Sequence, residues 1–294
     1  MTIGETYFRP TTLEEASALL REGNAHPIAG GTDVIVKMRR GIIKDKRLID
    51  IKRIPSLFEI EERDGGIVIG SGVRLSVLAS EARIVSKYPA LAEGAASIGT
   101  PQIRNLGTIG GNVCNSSPCA DTAPGLLVSD ASVIVYGNGR TKEIGIGDFW
   151  KGPGMNVLEP GELISGFFLP RPTPSTRQAF RKLGPRRAAD IAVVNLAISF
   201  TVKDDSCSNV RITVGSAAPT PIRATTAEKL MENKPMEALD FLAIASTVVG
   251  DTTPISDLRG SEWYRKETLR VLVEEMLCNL IGESGGEGLC LNRK

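Results

Sequence analysis

Two short stretches constrain this chain more than any others. Each carries a glycine pair flanked by small polar residues, and each lies between an apolar segment and a helix-like pattern. The first is Ile28-Ala29-Gly30-Gly31-Thr32-Asp33; the second is the longer run 102–124, QIRNLGTIGGNVCNSSPCADTAP. A glycine pair permits φ > 0 and close approach of the backbone to a neighbouring group. The first pair lies between a strand and a helix N-terminus, where unpaired N–H groups and the helix dipole favour an anion.

The surrounding pattern agrees. Thr12-Leu13-Glu14-Glu15 has capping-box spacing, followed by an apolar helical stripe that Gly23 stops. His26–Ala29 reads as a buried strand and Asp33–Arg40 as a helix. Residues 47–51 read as a strand, and 57–62 with 67–70 as a hairpin turned by Asp64-Gly65. Pro89 opens a helix to about Ile98, the run 102–124 is expected to be a long loop with a helix beginning near Thr122, and Leu163–Leu169 is strand-like. The proline-rich Arg171–Thr176 is the linker candidate, because its prolines disfavour helix and central strand alike. Beyond it the pattern changes to three strands, 177–183, 192–202 and 210–217. Helices follow, ending in 261–281 with Leu269, Leu272, Val273, Met276, Leu277 and Leu280 on one face. This second part is therefore expected to be α+β, with its long helix packed on its own sheet.

Size and charge narrow the function. A chain of 294 residues suits two domains. Net charge is +1, from 35 basic and 34 acidic residues, which predicts no nucleic-acid footprint. No apolar run reaches the ~18–20 residues that span a bilayer. The start, MTIGETYFRP, has no basic n-region or apolar h-region, so no secretory signal is expected and the cytoplasm is the default location. The five cysteines are scattered and make no disulfide framework.

The glycine-pair loops fit an anion such as a diphosphate, since backbone amides can satisfy its oxygens. Neither ends in the Gly-Lys-Ser/Thr of a P-loop, and no G-x-G-x-x-G occurs. Asp33 and Asp121 need to face away from such a charge. A glycine pair alone reads more simply as a plain turn; two such loops, each beside a helix start, weaken that reading without identifying the ligand.

Three motifs in order, Ile28–Val34 (IAGGTDV), Gly107–Asn112 (GTIGGN) and Ser117–Pro124 (SPCADTAP), resemble the FAD-binding subunit of the molybdenum hydroxylases. This is the flavoprotein family of carbon monoxide dehydrogenase medium subunits and of the flavin domain of xanthine dehydrogenase. The likeness extends over nearly the whole chain, including ELISGFFLP and FRKLGPRRAADIA. It implies a two-subdomain FAD-binding domain of the vanillyl-alcohol-oxidase (PCMH) type over residues 1–174. A flavoprotein C-terminal domain, with a three-stranded antiparallel sheet and helices, would cover 175–284, and 285–294 would be a tail.

The resemblance also implies the site. Backbone from Pro27, Ile28, Ala29, Gly30, Gly31, Thr32, Asp33 and Val34, with Thr108, Ile109, Gly110, Gly111 and Asn112, would cradle the FAD diphosphate. Asn115 and Asp121 match positions on the ribityl and adenosine portions. Ile98 matches an apolar position near the cofactor, Ile164 a backbone position near the adenine, and Lys182 a lysine near the flavin ring. Lys182 is thus the flavin-tuning candidate, against a plain reading as a solvated or ion-paired strand residue. Arg186, Arg187 and Asp190 follow it on a loop. Some oxidases of this flavin fold carry a flavin-linked histidine directly after the glycine pair; Thr32 stands there, so FAD is expected to be non-covalent.

The remaining residues carry little chemistry. His26 is the single histidine, and it reads as structural. Cys114 and Cys119 begin a C-x4-C pattern, but Thr122 stands where a plant-type [2Fe–2S] motif needs its next cysteine. Both then read as packing residues, and no metal site is expected. Molybdopterin and two [2Fe–2S] clusters would belong to a large and a small partner subunit, in a dimer of heterotrimers. The implied function is an electron-transfer flavoprotein passing electrons to NAD(P)+, a quinone or O2. Two alternatives stand beside it: a self-sufficient flavin oxidase or reductase, and a non-catalytic diphosphate-binding module.

Overall fold

A computed structural model describes residues 7–44, 47–186 and 189–282. Arg187, Cys290 and the tail expected from residue 285 lie outside the described residues. The chain divides into two compact units that interleave in sequence. The first is Met1–Leu78, Thr100–Ser117 and Asp130–Arg171; the second is Ala79–Gly99, Pro118–Ser129 and Pro172–Lys294.

The first unit holds two main sheets. Tyr7–Phe8, Arg47–Asp50 and Ala25–Ile28 form a parallel sheet with Arg47–Asp50 in the middle. Five strands, Ile60–Arg63, Gly66–Gly70, Leu163–Pro170, Ser132–Gly137 and Arg140–Gly145, form an antiparallel sheet in that order. Thr12 caps the helix Leu13–Arg21 by accepting from the Glu15 amide, which frees the chain to bury Ala16, Ser17 and Leu20. One core containing Ala16, Leu20, Ile49, Ile54, Tyr136 and Leu163 joins both sheets. The run 57–62, expected as strand, instead starts in a short 3-10 turn, Pro55–Phe58, because Pro55 sets the first turn.

The second unit is built on an antiparallel sheet of three long strands, Thr176–Leu183, Val194–Lys203 and Ser206–Gly215, with a two-residue fourth, Ile222–Arg223. The fourth strand corrects the expected count of three; two residues between Pro221 and a helix start are too short to show a period. Alternation along Val194–Lys203 decides what each face meets. Leu196, Ile198 and Phe200 enter a core with Ile244, Leu269, Val273 and Leu277 from the C-terminal helices Phe241–Gly250 and Glu262–Gly282. Ala197 on the opposite face packs with Phe180, Ala90 and Val128 from the helices Pro89–Ala96 and Thr122–Val128. Small residues let those two helices meet: a Cβ on Gly125 would lie 2.6 Å from the Leu91 Cα.

The run 102–124, expected to be a long loop, contains two six-residue helices, Pro101–Leu106 and Ile109–Cys114. Each is started by a threonine. Thr100 accepts from the Ile103 amide and Thr108 from the Gly111 amide, which offsets the glycines' poor helix propensity.

Candidate functional site

In the first unit the glycine-pair segments lie against each other. The parallel strand Ala25–Ile28, which contains Pro27 and the single histidine, ends at the buried Ile28. The chain then turns through Ala29–Asp33 into the helix Val34–Arg39. Gly31 has φ +70°, the left-handed conformation that disfavours any side chain. Gly30 is needed for a different reason, since a Cβ there would lie 2.0 Å from the Leu106 carbonyl oxygen.

The backbone amides of these segments differ in how they are used. Among the described residues, the amides of Gly31, Thr32 and Asp33 have no hydrogen-bond acceptor. In the second segment Ile109 donates to Val73 at 3.0 Å, Gly110 to Ser71 at 2.8 Å, Gly111 to the Thr108 hydroxyl at 3.1 Å and Asn112 to the Thr108 carbonyl at 3.0 Å. The free donors therefore belong to the first segment. The second offers the exposed backbone of Gly111, together with half-buried Asn112 and Asn115. Gly110 packs inward, its missing Cβ 2.6 Å from that of Ser71. Asp33 is exposed and makes no side-chain cap bond.

The end of the helix Ile109–Cys114 is held by the hairpin Trp150–Gly152 and Met155–Asn156. The Trp150 indole donates to the Val113 carbonyl at 3.1 Å, and the Asn156 amide to the Cys114 carbonyl at 3.1 Å. Lys37 donates to the Asn115 side-chain oxygen. Burial pushes the Cys114 thiol up to about 11, so it is protonated at neutral pH. Cys114, Cys119 and Cys207 are free thiols. No cluster of metal-ligating side chains occurs among the described residues. Ile164 is a buried residue of Leu163–Pro170, at a register shift against Ser132–Gly137 that takes Ser165 out of the ladder.

Ile98, Asp121 and Lys182 belong to the second unit, which contains a buried charged cluster. The Lys182 ammonium donates to Asp121 Oδ2 at 2.7 Å, to the Ser97 carbonyl at 3.1 Å and to the Asp190 carbonyl at 3.1 Å. Asp190 Oδ1 lies 3.6 Å from it, and all three side chains are no more than 8% exposed. Asn195 donates to the other oxygen of Asp121 at 2.7 Å. Burial raises the Asp121 carboxyl above its ordinary range, opposed by Lys182 and the Asn195 bond, while the Asp190 charge adds to the rise. Asp190 also accepts from the Arg186 amide at 3.3 Å and fills the space that a side chain at Gly184 would need.

Lys182 is thus ion-paired, with an acceptor for each of its three protons. Its partnership with Asp121 and Asn195 escaped the sequence reading. The available signal was Asn195 itself, one amide inside the apolar run Ala192–Phe200. Such a residue is buried only with a polar partner.

Two family models match the chain. Residues 2–172 match the FAD binding domain in molybdopterin dehydrogenase, and residues 178–280 the CO dehydrogenase flavoprotein C-terminal domain. The xanthine dehydrogenase FAD-binding subunit of Escherichia coli O157:H7 is 32% identical over 96% of this chain and 98% of its own length. The carbon monoxide dehydrogenase medium chain of Afipia carboxidovorans is 30% identical over 91% and 93%. Among solved structures, the carbon monoxide dehydrogenase of Hydrogenophaga pseudoflava lacking the Mo-pyranopterin moiety matches with a TM-score of 0.90. That match is 29% identical and covers 95% of this chain and 97% of the other.

Proposed function

We propose, for a chain that belongs to the family of FAD-binding subunits of the molybdenum hydroxylases, that it holds one FAD non-covalently and relays electrons within a larger oxidoreductase. The observation that carries the site is the set of three adjacent amides, Gly31, Thr32 and Asp33, with no acceptor among the described residues, inside the stretch matched by the FAD-binding model.

The residues present fit the cofactor. Amides of Gly31–Asp33 would bind diphosphate oxygens, and Gly111 would let the backbone come close. Asn112 and Asn115 supply neutral side-chain amides for ribityl or phosphate oxygens. Thr32, which has no nucleophilic nitrogen, makes no flavin bond. Pro27–Ala29, Val34, Thr108–Gly110 and Ile164 shape the pocket. Ile98 and Asp121 are carried over from the family as cofactor-side residues. Lys182 contributes a fixed positive charge and holds Asp121 and Asp190 in place; its saturated ammonium makes that role electrostatic and positional. When bound, the flavin accepts electrons singly or in pairs, which suits it to join iron–sulfur clusters to a two-electron acceptor.

The relatives' own names describe subunits and medium chains. We infer a large molybdopterin-binding partner, a small partner with two [2Fe–2S] clusters, a dimer of heterotrimers and a cytoplasmic setting. Among the described residues no helix is long and apolar enough to cross a membrane. Residues 1–174 would be the FAD-binding domain, 175–284 the C-terminal flavoprotein domain and 285–294 a tail. NAD(P)+, a quinone or O2 would take the electrons. The test is to purify the chain with the products of its neighbouring genes. FAD, iron and molybdenum should co-elute, and flavin should bleach when substrate is added without acceptor. Steady turnover of a small molecule by the chain alone would favour the self-sufficient oxidase instead.

A further inference from the structure

Lys37 sits in the helix Val34–Arg39, one turn beyond the free amides of Gly31–Asp33. The residue is half-buried, and its ammonium donates to a neutral acceptor, Asn115 Oδ1. Among the described residues no carboxylate pairs with it. Asp33, the natural partner at i,i+4, makes no ion pair with it. Lys52 is a useful contrast. It also reaches this loop, donating to the Ala29 carbonyl at 3.4 Å, but Asp50 lies 3.2 Å from it. Lys52 is a neutralised cation and Lys37 is not.

An ammonium whose one protein acceptor is an amide oxygen has hydrogen-bonding capacity left over. Three amide donors without acceptors and an ammonium paired with no carboxylate form a donor set that an anion completes. Of the parts of FAD, only the diphosphate is anionic. Resting on the FAD reading above, we propose that Lys37 is the counter-cation of the cofactor diphosphate, its ammonium shared between Asn115 and a phosphate oxygen. Lys37 is then an affinity- and specificity-determining residue, favouring FAD over flavins without a diphosphate.

The experiment strips flavin from the full-length protein and titrates it with FAD and, separately, with riboflavin, which has the ring and ribityl chain but no diphosphate. Lys37→Met should weaken FAD by about tenfold, the loss of one charge-assisted hydrogen bond. It should also flatten the dependence on ionic strength and weaken riboflavin less than FAD, since only FAD carries the diphosphate. Lys37→Arg should restore most of the FAD affinity. Equal FAD affinity in wild type and Lys37→Met overturns the proposal while leaving the FAD reading intact. Equal losses for FAD and riboflavin also overturn it, since they mark a purely structural lysine. Failure of the wild type to bind FAD overturns both.

Discussion

A Cβ on Gly30 would stand 2.0 Å from the carbonyl oxygen of Leu106. The first glycine-pair loop is thus packed against the segment that leads into the second. This glycine serves the protein's own packing, and so does Gly110 against Ser71. Gly111 is exposed, and a Cβ there would meet only the Thr108 hydroxyl, at 3.2 Å.

Substitution separates these roles. Gly30→Ala should destabilise the fold by about 1–3 kcal/mol or more, because backbone must move to admit the methyl group. Gly111→Ala should cost little stability yet lower flavin content. Thermal unfolding of the apoprotein and flavin absorbance of the purified protein read the two effects independently.

The buried pair Lys182–Asp121 gives a second prediction. Lys182→Met strands two carboxylates in a site with no more than 8% exposure. A loss of about 3–5 kcal/mol is expected. Lys182→Met combined with Asp121→Leu should recover part of it, since the second change removes one stranded charge. Denaturant unfolding of the single and double variants measures this; a double variant weaker than the sum of the singles would contradict a direct pair.

The pH dependence follows from Asp121. Its folded carboxyl is raised above the ordinary 3.8, first by burial. The folded state therefore binds more protons than the unfolded state between that value and the raised one. Stability contributed by this group is full below the unfolded value and declines as pH rises through the folded one. Asp121→Asn removes the decline. The stability of the wild type minus that of the variant should fall with rising pH across this window, and a difference that rises would contradict the assignment.

Cys114 supplies a chemical test. A thiol raised to about 11 is scarcely ionised at pH 8. Alkylation of Cys114 by iodoacetamide should be slow in the folded protein and fast in denaturant, as followed by peptide mass spectrometry. Rapid native labelling would count against its role as a packed side chain.

The sequence made some of this visible and concealed the rest for physical reasons. Thr12 and its helix, the Asp64-Gly65 hairpin and the three long strands after the proline-rich linker were legible because caps, turns and periodicity are local. The stripe Leu269, Val273, Met276, Leu277 and Leu280 was legible too, and all five are buried in the second unit's core. The grouping of Ala79–Gly99 and Pro118–Ser129 with the C-terminal segment was not, because it depends on contacts such as Gly125 on Leu91. The helices Pro101–Leu106 and Ile109–Cys114 were hidden by their length, and the second also by its two glycines. Of the candidate site, the glycine turn between the strand Ala25–Ile28 and the helix Val34–Arg39 was legible. That Gly111 alone of its pair is exposed, and that Lys182 is ion-paired, required the packed structure.

Flavin stoichiometry decides whether this chain holds FAD without a covalent bond. The full chain, purified with the products of its neighbouring genes, is precipitated with acid, and the supernatant and pellet are assayed for flavin. One FAD per chain, recovered intact in the supernatant, is the predicted result. A flavin-free protein that takes up no added FAD, or flavin that stays covalently in the pellet, would contradict it.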